Sequence, residues 1–201
     1  MQNAMSEKTS VRFGEVIEAS TSTFTTQCYQ LYEAPPLGGL VRCGEDSPIY
    51  GIVYEVATRS MDPGRHPVPR GESEDTEEGV YLSNPQLSRL LYTEFHSMVV
   101  GHRSNGVINR YLSPSPPRIH SFVSRCDGDE LREFSESLEF LPLVLSAPIS
   151  FQDDVIASFL RLASASHIEQ DDFLVSAGKE LAVLLGRDLQ RLDNVLRRIS
   201  Q

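Results

Sequence analysis

The chain has 201 residues, a formal net charge of −10 at pH 7 and a sequence pI near 4.9. Because 40% of its residues are hydrophobic and 23% are charged, the composition favours one or two packed domains over bulk disorder. The acidic balance argues against a general nucleic-acid binder, which needs clustered Lys and Arg, and no apolar run predicts a membrane-spanning helix.

The first hundred residues are typical of β structure. Four segments rich in aromatic and β-branched residues are predicted strands: residues 11–19, 24–32, 40–43 and 49–58. Gly14 predicts a bulge or a close backbone approach, and Gly51 predicts a close approach within the strongest strand. Short strands at roughly ten-residue spacing, separated by Gly, Pro and Asp, indicate a small barrel or sandwich.

Residues 60–80 interrupt this pattern with three prolines, three glycines, six acidic residues and two basic ones. We predict a long mobile loop here, and long loops in compact domains are either functional or disordered. Two interpretations stay open, a solvated insertion and a docking arm for a basic partner. The candidate binding residues of such an arm are Glu72, Glu74, Asp75, Glu77 and Glu78.

Three further elements are predicted before the chain changes character. Asn84 is expected to cap a short helix, with Pro85 in the first helical position, where its missing N–H costs nothing. Two strands follow over residues 95–100 and 107–112, joined by a turn at 104–106. Residues 118–125 form a last extended segment.

From residue 127 onward, apolar residues recur every three or four positions, which predicts helices. Asp127 or Asp129 is expected to cap the first helix, and Pro142 to kink or end it. Ser150 is the expected N-cap of the second, and Gly186 interrupts the last segment. The predicted helical segments are residues 129–145, 150–163 and 171–199.

The sequence therefore predicts an α+β protein. A small closed β-barrel covers residues 10–125, with the acidic loop insertion at 60–80. A helical module of three to four helices follows over residues 127–201.

Catalytic and cofactor motifs are absent from the sequence. It contains no Walker A loop, no G-x-G-x-x-G and no nucleophile elbow. The three cysteines lack C-x-x-C spacing and are expected to be buried and reduced, so we predict no metal and no cofactor. We expect no enzymatic activity, although a site assembled from dispersed residues such as His96, His102 and Asp62 stays open.

Three motifs resemble those of the HAS-barrel, the small β-barrel shared by HerA-type DNA translocases and the catalytic subunits of ATP synthases. They are Gly14-Glu15-Val16-Ile17, Pro36-Leu37-Gly38-Gly39-Leu40-Val41 and Ile49-Tyr50-Gly51-Ile52-Val53. In the translocases this barrel precedes a P-loop ATPase domain and forms a collar on a hexameric ring. Because a helical module without a nucleotide motif follows here, the resemblance implies packing, oligomer contact or adaptor binding, and not ATP hydrolysis.

We therefore expect a non-enzymatic adaptor whose barrel docks a protein partner, with an ATPase as one candidate, or contacts copies of itself. The alternative is an accessory factor in DNA or RNA processing, recruited by a HerA-type translocase or by weak direct contact through the barrel. With a net charge of −10, direct nucleic-acid binding is not expected at physiological salt. Residues 1–9 are polar and lack the apolar stretch of a signal peptide, so we expect a cytoplasmic protein without membrane insertion.

Overall fold

The computed structural model describes residues 11–64 and 66–200, so the prediction for residues 1–9 lies outside the described residues. It confirms the α+β class: seven strands form one antiparallel sheet, and helices follow them. The strands are β1 (Arg12–Ala19), β2 (Thr23–Cys28), β3 (Leu40–Cys43), β4 (Ile49–Ser60), β5 (Leu91–Ser104), β6 (Val107–Asn109) and β7 (Phe122–Arg125).

Six of the strands are hydrogen-bonded in a ring. Their order is β2-β1-β7-β3-β4-β5, and β2 pairs with β5 as well as with β1, so the pairing returns to its start. The closing pair matches Thr23 with Met98 and runs to Gln27 opposite Glu94. β6 extends from β5 as a hairpin through Asn105 and Gly106, which both have positive φ, as the two-residue turns that suit twisted strands require.

Close approaches are present at both strand glycines, from the backbone of β2 at Gly14 as predicted and from side chains, not another backbone, at Gly51. A Cβ on Gly14 would lie 1.9 Å from the carbonyl oxygen of Gln27 on β2. A Cβ on Gly51 would lie 2.7 Å from ring atoms of Phe24 inside the sheet. A side chain at either position would clash with these neighbours, so both positions favour glycine.

Seven helices occur among the described residues. They are α1 (Glu77–Ser83), α2 (Leu87–Leu90), α3 (Gly128–Ser135), α4 (Leu141–Ser146), α5 (Gln152–Ser164), α6 (Gln170–Leu184) and α7 (Leu189–Ile199). Five of them, α3 to α7, lie C-terminal to the strands, where three to four were predicted.

Several predicted helix ends are wrong. Residues 129–145 form two helices, because Pro142 lies in the first turn of α4 and therefore starts a helix instead of ending one. Asn84 is the C-cap of α1, and Gln86 precedes α2. Ser150 does not cap α5, which begins after Phe151 in a left-handed conformation with φ of 61°.

Two apolar clusters form the core. The first fills the interior of the ring and includes Val16, Phe24, Val41, Val53, Phe95, Val99 and Val123. The second lies between the opposite face of the sheet and the helices, because alternate residues of each strand point to opposite faces. Its members include Leu40, Tyr50, Ile52, Met98, Val100, Phe134, Phe140, Phe159, Leu160 and Leu181.

A polar network fastens α3 to the sheet beside the second cluster. The buried hydroxyl of Tyr50 donates to Glu130 Oε1 at 3.0 Å and accepts from Arg103 Nε at 3.1 Å. Arg103 in turn donates to both carboxylate oxygens of Glu133, at 3.1 and 2.7 Å. Burial raises the pKa of Tyr50, so its hydroxyl keeps the proton that it donates.

Candidate functional site

The five predicted binding carboxylates lie just before α1 and in its first turn. Thr76 is the N-cap of α1, and its hydroxyl accepts a hydrogen bond from the backbone N–H of Gly79 at 3.0 Å. Glu77 and Glu78 form the first turn, where the helix dipole favours negative charge. The prediction that residues 60–80 are all loop is therefore wrong for residues 77–80.

We call residues 72–78 the acidic segment. Glu74 is half-buried and the other four carboxylates are exposed. The salt bridges of the described residues involve other carboxylates and none of these five. One turn beyond Glu78, the side chain of Leu82 is 76% exposed. The acidic segment thus combines five carboxylates that form no salt bridge with a described residue and a neighbouring exposed apolar side chain.

Two tyrosines hold α1 against the sheet. The hydroxyls of Tyr81 and Tyr32 are hydrogen-bonded, and their rings pack edge to face at 6.1 Å. The backbone N–H of Tyr32 donates to Thr93 Oγ1 on β5 at 2.8 Å. The helix that follows the acidic segment is therefore anchored at the end of the sheet where β4 and β5 pair.

The dispersed residues considered for catalysis do not converge. His96 contacts Thr25 Oγ1 through Nδ1 at 3.0 Å, whereas His102 lies six residues further along β5, a separation of roughly 20 Å for an extended strand. Asp62 accepts a hydrogen bond from the backbone of Gly64 in a local turn. These three side chains do not form one site.

The expectation of buried cysteines is confirmed for all three. Burial raises the pKa of Cys28 and of Cys43 to about 11, so neither side chain is a ready nucleophile. Within residues 11–64 and 66–200, no group of three His, Cys, Asp or Glu side chains could hold a metal ion. No helix in the same residues is both long and apolar enough to cross a membrane.

Sequence reasoning missed a cleft of about 710 Å³ in the helical region, which we call the α3–α6 cleft. One wall is a single face of α6 and the residue before it: Glu169, Asp172, Phe173, Ser176 and Glu180. The opposite wall is the end of α3 and the connection to α4, residues 135–139. Arg132, His167 and Ile168 complete the lining.

A Ser–His contact lies inside this cleft. His167 stacks on Phe173 with ring centroids 4.1 Å apart, and its Nε2 lies 2.8 Å from Ser135 Oγ. The same pair of side chains serves nucleophilic catalysis in hydrolases. Here Ser135 is only 1% exposed and its hydroxyl donates to the carbonyl of Leu131 at 2.7 Å. The contact therefore orients His167 and does not present a nucleophile.

The α3–α6 cleft is strongly acidic. Its lining holds Arg132 and five carboxylates: Glu136, Glu139, Glu169, Asp172 and Glu180. None of the five forms a salt bridge with another described residue, and Arg132 pairs with Asp129 outside the lining. By contrast, six carboxylates elsewhere on the helices are paired with arginines: Asp129, Glu130, Glu133, Asp153, Asp154 and Asp193.

The comparisons with known proteins give no family: no family model matches the chain, and no curated protein matches it. The two acidic surfaces, and the sheet that carries the first of them, are the features of the molecule that bear on its function.

Proposed function

We propose that the protein is a non-enzymatic adaptor that binds a positively charged surface of a partner protein through the acidic segment. The observation that carries this proposal is the set of five carboxylates without a salt bridge to a described residue, beside the exposed Leu82. One exposed ion pair contributes little affinity, but a cluster of one sign steers a partner of opposite charge and sets its orientation.

We further propose that the ring-paired strands form a small closed barrel of the HAS type. The β2–β5 pairing and the filled interior of the ring support this, as do the glycine positions that the resemblance rests on. On this proposal the acidic segment projects between β4 and β5 of a collar-like barrel. The partner is then an ATPase or translocase, or the protein forms an oligomer of its own.

Two variants with equal charge change test the acidic segment. The first carries Glu72→Gln, Asp75→Asn and Glu78→Gln. The control carries Glu18→Gln, Glu33→Gln and Asp46→Asn, which are exposed and lie elsewhere. The probe is a 15-residue peptide of alternating Lys and Ala, titrated by calorimetry at low salt.

Three exposed pairs at about 0.5 kcal/mol each amount to roughly a tenfold change in Kd. We expect that weakening in the first variant and less than about a twofold change in the control. Equal weakening in both variants would mean that only net charge matters, and the acidic segment would lose its role.

One observation favours the second candidate, direct nucleic-acid contact by the sheet. Phe122 and Tyr29 are 39% and 54% exposed, and the guanidinium of Arg12 lies 4.4 Å from the Phe122 ring centroid. Exposed aromatic rings with arginine are what bases stack on, but Arg12 is paired with Glu45 at 3.2 Å. Fluorescence anisotropy with a labelled oligo-dT tests this candidate, and tight binding that weakens steeply with salt would favour it over the adaptor.

A further inference from the structure

We propose that the α3–α6 cleft is a docking groove for a short amphipathic helix of a partner protein, with an apolar side facing inward and Lys or Arg on both flanks. This inference extends the proposed adaptor function to a second surface and uses none of the residues of the acidic segment. Three features of the cleft carry it: the apolar residues of its lining, its length along α6, and the lining carboxylates that form no salt bridge with a described residue.

Apolar side chains line part of the cleft, and we call Leu138 and Phe173 its floor. Leu138 and Phe173 belong to the lining, and the stack of His167 on Phe173 fixes the position of that ring. Ile168 stands at the edge with 88% of its surface exposed. An apolar anchor that entered the cleft would cover Ile168 and contact the aromatic stack, which favours an aliphatic or aromatic side chain of the partner.

The length of the groove fits a helix. The α6 wall runs from Glu169 to Glu180, which is about 16 Å at the rise of an α-helix. A partner helix of about three turns would span that length and place side chains at i, i+3, i+4 and i+7 along the floor. An extended peptide would contribute only about five residues over the same distance.

The charges of the cleft predict basic side chains on both flanks of the partner helix. Glu136 and Glu139 lie on one wall, and Glu169, Asp172 and Glu180 lie on the other. Like charges this concentrated destabilise the folded chain, whereas six acidic residues on α3, α5 and α7 are paired with arginines. A helix seated on the floor directs its flanking basic side chains to these two rims, where they would supply the missing cations.

The experiment uses the full chain, labelled with ¹⁵N, and two peptides of identical composition. One is a 15-residue Leu/Lys peptide with its leucines at helical spacing, and the other has the same residues scrambled. We expect the patterned peptide to shift the amide signals of residues 135–139 and 167–180, and the scrambled one to bind at least about tenfold more weakly. No binding of the patterned peptide at millimolar concentration, or equal binding of both peptides, would overturn the inference.

Variants then locate the site. Glu136→Gln with Asp172→Asn and Glu180→Gln should weaken binding about tenfold. Ile168→Ser, at a position too exposed to affect folding, should weaken it severalfold. The three-residue variant of the acidic segment should leave the shifts that the patterned peptide causes in residues 135–139 and 167–180 unchanged. If shifts appear only in residues 72–78, the adaptor proposal stands and the cleft inference is wrong; if neither surface shifts, both are wrong.

Discussion

The glycine inside β4 provides a direct test of the packing inside the ring of strands. In Gly51→Val, the new Cβ would lie 2.7 Å from Phe24 Cε1 and Cζ and 2.9 Å from Ser97 Cβ. Phe24 and Ser97 are themselves buried, so neither can move aside easily. Overpacking a core typically costs about 1–3 kcal/mol of unfolding free energy. Because valine adds two methyl groups beyond the Cβ that already clashes, we expect a loss of about 3 kcal/mol, at the upper end of that range. That loss corresponds to a fall in Tm of roughly 6–12 °C.

Urea unfolding followed by circular dichroism measures this loss. The control is Gly128→Val, because a Cβ on Gly128 meets nothing within 4 Å. The double variant Gly51→Val with Phe24→Leu removes the ring atoms that clash, and should recover at least about 1 kcal/mol relative to the sum of the two single changes. If Gly51→Val is no less stable than the control, the close approach of Phe24 and Ser97 to Gly51 does not exist and the packing inside the ring is not as described.

Two further predictions concern side chains that make polar contacts with α3. Tyr50→Phe removes the hydroxyl that joins Arg103 to Glu130, and should lower the free energy of unfolding by about 1–3 kcal/mol in the same urea assay. Burial lowers the pKa of His167 from its ordinary 6.5, so the unfolded chain takes up its proton first as the pH falls. The contribution of neutral His167 to the free energy of unfolding is therefore full above pH 6.5. It falls as the pH drops below 6.5 and stops falling below the pKa of His167 in the folded state. His167→Phe should remove that decline from a comparison of unfolding at pH 7 and pH 5.

Local sequence pattern accounts for much of the fold. Runs rich in aromatic and β-branched residues predict β1, β2 and β4, and three- and four-residue spacing predicts α5 and α6, because each of these helices buries one face. The close contacts at both strand glycines are also predictable, since glycine inside a strand indicates a bulge or a close approach. The prediction that Pro142 kinks or ends a helix is wrong, because proline disrupts a helix interior but fits the first turn of a helix, where Pro142 lies.

The ring and the cleft depend on contacts that no local pattern contains. β2 meets β5 about seventy residues later, through pairs such as Thr25 and His96. The cleft joins the end of α3 to α6, and its Ser135–His167 contact spans 32 residues. One sequence signal for the cleft was available, the helical spacing of Glu169, Asp172, Ser176 and Glu180. This spacing places the four side chains on one face of a helix, beside the buried Phe173, and such an acidic stripe suggests a binding surface. The acidic segment was predictable because its residues are adjacent in sequence.

The division of the chain at residue 126 stays a prediction, and the shared apolar core makes it testable. Six buried side chains of the strands face the helices: Leu40, Tyr50, Ile52, Met98, Val100 and Ile108. Exposing each costs about 1.5–3 kcal/mol, which gives at least about 9 kcal/mol and so consumes most of the 5–15 kcal/mol that stabilises a typical domain.

A fragment of residues 1–126 should therefore show no cooperative thermal unfolding, whereas the full chain should unfold in a single transition. A matched fragment with Tyr50→Ser, Ile52→Thr and Val100→Thr should be more soluble but no more folded, because solubility does not replace the lost packing. A monomeric fragment that unfolds cooperatively would mean that the ring holds itself together without the helices. The strands would then be an independent barrel domain, and the helical region, with its acidic cleft, would be an addition to a domain that folds on its own.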